Sequence, residues 1–138
     1  MRAVIVGCSR LGSRLAGLLN DQGHAVTVID VDSTAFRRLP ETFNGSTVIG
    51  TGIDEDVLLA AGIDRADIFV AATNGDNRNI MASQLAKKAF NVRHVLCRIY
   101  DPVRAEAYKS LGIDTICPTV RVADIFMNSI QEQMEVAG

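Results

Sequence analysis

The chain has 138 residues, a formal net charge of −2 and 22% charged side chains. That length suits one domain with a full-sized core, and a near-neutral balance without a basic run lacks the charge pattern of a nucleic-acid binder. No apolar stretch approaches the roughly 20 residues that cross a bilayer, and the N-terminus enters an apolar run at once, so neither membrane insertion nor a signal peptide is expected.

Ala3 to Val6 reads as a first strand. Gly7-Cys8-Ser9-Arg10-Leu11-Gly12 follows, and an amphipathic helix is predicted to carry Leu11, Leu15, Leu18 and Leu19 on its apolar side. A second strand, Ala25 to Ile29, ends at Asp30. Strand, glycine turn, helix, strand and acid is the layout of a dinucleotide-binding βαβ unit, in which glycines let the backbone approach a pyrophosphate. The amides and the positive dipole end of the helix face the phosphates, and Asp30 sits where an acid accepts hydrogen bonds from the adenosine ribose. Ser9 stands where that pattern has glycine. Its hydroxyl is expected to be able to bond a phosphate. The competing reading keeps the turn for packing alone.

Thr47 to Ile49 reads as a third strand, and Asp54 opens a helix through Val57, Leu58 and Leu59. Ile68 to Ala72 is a continuous apolar run, as a strand covered on both faces requires. Thr73-Asn74-Gly75-Asp76 then leads into a helix with Ile80, Met81, Leu85 and Ala86. His94 to Ile99 is the fifth strand, Asp101-Pro102 opens the next helix with a cap and a first-turn proline, and Thr115 to Cys117 is a short sixth strand ended by Pro118. This alternation predicts an α/β fold: a Rossmann-like, doubly wound parallel sheet in the order 3-2-1-4-5-6. Val122, Ile125, Phe126, Ile130 and Met134 fall at helical spacing in the last segment. The expected organisation is a nucleotide-binding domain over 1–118 and a C-terminal helix over 119–138. Periodicity does not say what that helix packs against; a partner chain is favoured over its own sheet.

The three cysteines have no metal-ligand spacing and read as reduced, buried thiols, so no zinc site is expected. An oxidoreductase needs a proton-transfer group beside the reacting carbon. The two histidines, His24 and His94, lie in a turn and at a strand start, and Tyr108-Lys109 is adjacent rather than one helical turn apart. No catalytic residue is assigned. A dehydrogenase's NAD-binding domain and a redox-sensing regulator stand as the alternatives.

Gly7-x-x-Arg10-x-Gly12, Val28-Ile29-Asp30, Asp56-Val57-Leu58 to Ala61-Gly62-Ile63, Ala71-Ala72-Thr73, Asp76 with Asn79, Arg98-Ile99, Leu111-Gly112-Ile113-Asp114 and Pro118 occur in that order. Together they resemble the TrkA-N or RCK N-terminal domain of cytosolic subunits that regulate potassium transporters and channels. The resemblance covers essentially the whole chain. It implies a cytosolic regulatory domain, peripheral to the membrane through its transporter partner. It also implies binding of NAD(H) or ATP/ADP, assembly as a homodimer or larger ring, and gating by ligand exchange. Arg10 matches an arginine that reaches a terminal phosphate in some relatives, and its other reading is an ordinary exposed helix residue. Asp32 either supports the ribose or caps the next helix, the cap being favoured. Thr51, beside Gly52, replaces an acid that contacts adenine in relatives, so base preference does not carry over. Thr73 and Asn74 either meet the second half of a dinucleotide or form a plain turn. Arg98 could face the site, but a structural salt bridge is the favoured reading. Thr119 replaces a glutamate that holds a divalent cation in some relatives, so no metal is expected there. Asp30 disfavours NADP, because two anions would face each other.

Overall fold

A computed structural model describes residues 1–137, and its centre is a six-stranded parallel sheet. The strands are β1 (Arg2–Val6), β2 (Ala25–Asp30), β3 (Ser46–Ile49), β4 (Ile68–Ala71), β5 (His94–Arg98) and β6 (Asp114–Ile116). They lie in the order β3-β2-β1-β4-β5-β6, as the alternation of apolar runs and helices predicts. Val6 of β1 pairs in register with Ile29 of β2 and Ala71 of β4. Strand order reverses between β1 and β4, so the loops leaving them diverge and open a crevice at their carboxyl ends.

Ala3, Val4, Ile5 and Val6 are all buried, and alternate side chains feed two separate cores. Val4 and Val6 join Leu58, Phe69 and Ile80 beneath α2 (Glu55–Ala60), α3 (Asp76–Gln84) and α4 (Pro102–Lys109). Ile5 joins Val28, Val70 and Ala16 beneath α1 (Arg10–Asp21), with Ala35 added from a 3-10 segment, Ser33–Arg38. A strand with apolar layers on both sides has no solvent face on which to place a polar residue, hence the unbroken apolar runs.

The contact face of α1 differs from the leucine stripe expected of it. Its buried residues are Gly12, Ser13, Ala16 and Gly17. Leu11 and Leu18 are 44% and 49% exposed, while Leu15 and Leu19 pack at the margin of the core. The reason is distance: a Cβ on Gly12 would lie 1.9 Å from the Gly7 carbonyl oxygen, and one on Gly17 would lie 3.0 Å from Pro40. Only small residues fit so close an approach. Met81 and Leu59 are likewise exposed, and α3 continues through a π turn, Leu85–Ala89, that buries Ala86.

Helix α5 (Pro118–Ala137) stands off the sheet. From Thr119 to Ala137 every side chain is exposed, including Ile125 at 64% and Phe126 at 65%. Gly138, the end of the expected 119–138 segment, lies outside the described residues. Among the described residues, no helix is long and apolar enough to cross a membrane.

Candidate functional site

The crevice above β1 and β4 encloses about 470 Å³. Gly7, Ser9, Arg10, Leu11, Asp30, Asp32, Thr51, Gly52, Thr73, Asn74 and Arg98 all line it. Gly12 does not; it lies behind the turn, against the Gly7 carbonyl. Tyr100 lines it as well, and so do Arg38 and Arg78, which carry no assignment from sequence. An arginine near a helix end reads as a solvated face until the fold shows what it overhangs.

The glycine turn is required first by the protein's own backbone. Gly7 has φ +103°, and a Cβ there would lie 2.8 Å from Ala72 C and Thr73 N. Any side chain would therefore force the turn off the end of β4. Ser9 is the N-cap of α1: its Oγ accepts from Gly12 N at 3.1 Å and donates to the Ala72 carbonyl at 2.8 Å. A phosphate at Ser9 would therefore compete for the one hydroxyl proton with the main chain just after β4. The Gly12 amide is taken by that cap, while the Arg10 and Leu11 amides have no intrahelical acceptor and stand at the crevice with the positive dipole end of α1.

Asp30 holds the turn from the side. Its Oδ2 accepts from Cys8 N at 2.8 Å and its Oδ1 from Asp32 N at 2.9 Å. Each oxygen has a further lone pair to offer a ligand hydroxyl. Arg38 reaches back from the 3-10 segment and donates through Nη1 to the Cys8 carbonyl at 3.1 Å. Burial and the nearby Asp30 charge push the Cys8 thiol up from its ordinary value, against a smaller opposing pull from Arg38. Asp32 is a cap: its Oδ1 accepts from the Thr34 hydroxyl at 2.7 Å and the Thr34 amide at 2.9 Å. Those bonds hold its carboxyl below the usual value.

The other wall is organised by Asn79, which is fully buried. Its Oδ1 accepts from the Thr73 hydroxyl at 2.6 Å and the Thr73 amide at 3.0 Å. Its Nδ2 donates to the Thr73 carbonyl at 3.0 Å and the Arg98 carbonyl at 2.8 Å. All four of its hydrogen-bonding positions are satisfied, which locks the end of β4 to the end of β5. The Thr73 hydroxyl thus belongs to the turn. Arg98 makes no salt bridge among the described residues. It donates through Nη2 to the Ala72 and Thr73 carbonyls, both at 2.8 Å, and its guanidinium lies 5.0 Å from the Tyr100 ring centroid. The salt-bridge reading is corrected to a carbonyl clamp: where β4 ends, the Ala72 and Thr73 carbonyls need donors and Arg98 supplies them. Arg98 Nε is buried without a partner among the described residues.

Arginines 10, 38, 78 and 98 outnumber Asp30 and Asp32 in the lining. The crevice therefore has an excess of positive charge although the chain as a whole is slightly negative. Neither histidine is near it: His24 Nδ1 lies 3.0 Å from the N-terminal amine, and His94 starts β5 at the opposite end of the sheet.

Residues 3–119 match the TrkA-N domain. The chain belongs to the TrkA-N domain family. This TrkA-N domain is 51% identical over 124 residues to the Trk system potassium uptake protein TrkA of Streptomyces coelicolor, covering 90% of the chain and 56% of that protein. It is 32% identical over 137 residues to a TrkA homolog of Methanothermobacter thermautotrophicus, covering 99% of the chain and 63% of that relative. The chain thus spans about three-fifths of the length of these relatives. Among solved structures, the TrkA-N domain of an Escherichia coli inner membrane protein has a TM-score of 0.81 at 19% identity, over 92% of this chain and 94% of that one. The Kef C-terminal domain of Shewanella denitrificans, solved in an AMP-bound form, has a TM-score of 0.77 at 24% identity, over 100% of this chain and 82% of that one. Those two likenesses establish the fold.

Proposed function

We propose that this TrkA-N domain is the nucleotide-binding regulatory part of a potassium uptake system, acting on the cytosolic side of the membrane beside a transporter. The reading rests on one observation above all. An acid at the end of β2, a glycine turn at the end of β1 and an excess of guanidinium groups share one crevice at the strand-order switch. Asp30 takes the adenosine ribose, the first turn of α1 takes the phosphates, and Arg10 reaches a terminal phosphate through its forked donors. The ligand is NAD(H) or an adenosine phosphate. The names of the TrkA relatives, and the AMP held by the Kef structure, support this assignment.

The exposed apolar face of α5 pairs with a second copy, giving a homodimer or a larger ring. Leu96 and Ile116, half-buried on the α1 side of β5 and β6, extend the apolar surface available to such a partner. A ligand with different affinities for two arrangements of that assembly biases their equilibrium, whereas equal affinities would shift nothing.

Titration calorimetry of the purified protein with NADH, NAD, ATP and ADP, and NADP as control, tests the site. Micromolar binding of at least one of the first four, with NADP weaker than NAD, is expected. Failure of all four to bind would refute the nucleotide reading and leave an assembly domain.

A further inference from the structure

We propose that Arg78 binds the second phosphate group of the ligand and that Gly75 is glycine in order to seat it. This deepens the nucleotide reading and rests on it.

Gly75 precedes α3 as its N-cap with φ −112° and ψ 119°, a backbone that any residue adopts. Its lack of a side chain therefore has no conformational cause. The cause is space. A Cβ at position 75 would lie 2.8 Å from Arg78 Nε and 3.1 Å from its terminal nitrogen Nη2. The guanidinium thus occupies the volume that a side chain at 75 would fill, lying over the turn between β4 and α3 at the edge of the crevice.

Two of the other three guanidiniums in the crevice are held by main-chain acceptors, Arg38 by the Cys8 carbonyl and Arg98 by those of Ala72 and Thr73, while Arg10 lies on the α1 side of the crevice. Arg78 takes part in no ion pair among the described residues. The one acid on its own helix, Asp76, accepts instead from the Tyr100 and Asp101 amides at 2.8 and 3.2 Å. Arg78 is the third residue of α3, so its charge adds to the positive dipole end of that helix.

Strand order supplies the direction. Asp30 ends β2, the glycine turn follows β1, and Arg78 follows β4 on the far side of β1. A ligand whose ribose rests on Asp30 places its first phosphate at the turn and its next toward α3. AMP has no such group. ADP, ATP and a dinucleotide do, so the chemistry that Arg78 recognises is a second phosphate, terminal or bridging.

The experiment is calorimetry of AMP, ADP and NADH on wild type, Arg78→Ala, Arg78→Lys, Gly75→Ala and the double variant G75A/R78A, with urea unfolding of each. Arg78→Ala should weaken ADP about tenfold, the scale of a charge-assisted hydrogen bond, and AMP by less than about twofold. Arg78→Lys should recover part of the loss. Gly75→Ala should reproduce the Arg78→Ala loss without lowering the unfolding midpoint, since only a flexible side-chain end must move. The double variant should bind no worse than Arg78→Ala alone. A loss for ADP but not NADH identifies a terminal phosphate as the group bound, and a loss for both a bridging one. Wild-type ADP affinity in Arg78→Ala would overturn the proposal while leaving the site intact, as would an equal loss for AMP. Wild-type affinity in Gly75→Ala would overturn the role of Gly75. If wild type binds none of the three ligands, and neither NAD nor ATP, the nucleotide reading itself falls.

Discussion

Asp30 carries two loads at the scale of single residues. Its oxygens accept from the Cys8 and Asp32 amides, so they fix the turn before any ligand arrives. Asp30→Ala should therefore weaken adenosine ligands by roughly 1–3 kcal/mol and also lower stability without ligand by about 1–2 kcal/mol, since two amides lose a charged acceptor. Urea unfolding of the ligand-free protein checks the second part, and an unchanged midpoint would show that water replaces the carboxylate at no cost. The position of Asp30 was legible from sequence, because a strand that ends in an acid after a glycine turn is a local pattern. Its structural duty was not, since Cys8 and Asp32 meet it only when β1 and β2 pair. Asn79 teaches the same lesson: sequence shows an asparagine on a helix, and the fold shows four satisfied hydrogen bonds between two strand ends.

Two helices of similar apolar periodicity behave oppositely at the scale of elements. Helix α1 approaches the sheet through Gly12, Ala16 and Gly17 and leaves Leu11 and Leu18 outside. Periodicity locates an apolar stripe, but the distance of approach decides which of its residues touch, and that distance is set by the Gly7 carbonyl and Pro40. Helix α5 presents Val122, Ile125, Phe126, Ile130 and Met134 with nothing of its own chain over them. If a second copy covers that face, Phe126→Asp should shift the protein from dimer to monomer in sedimentation velocity. The unfolding midpoint of the monomer should change little, because Phe126 is 65% exposed within one chain. A wild-type protein that sediments as a monomer at tens of micromolar (about the concentration of such a run) would sink the pairing.

At the scale of the whole molecule, buried thiols couple folding to pH. Cys8 and Cys97 are both pushed above the ordinary thiol value of 9.0, chiefly by burial. The folded chain keeps these protons while the unfolded chain gives them up. Their contribution to stability is thus complete below pH 9.0 and declines as pH rises toward the folded values. Urea unfolding under reducing conditions should show stability falling above that point. The fall should be shallower in a Cys8→Ala/Cys97→Ala variant, and identical slopes in the two proteins would refute the coupling.

Strand order, the two-sided core and the location of the crevice were determined by sequence alone. Their causes are local: unbroken Val and Ile runs, glycine turns and capped helices fix element type, and right-handed crossovers leave few ways to order parallel strands. Tertiary structure decided which groups face the crevice and what already engages them. Ser9 and Thr73 turn their hydroxyl protons to the protein, Arg98 clamps carbonyls, Arg38 comes in from a segment with no sequence sign of a site, and Arg78 from a helix whose start alone carried one. The physical reason is that hydrogen bonds and close approaches form between residues distant along the chain. Their partners exist only once the sheet has brought the strand ends together.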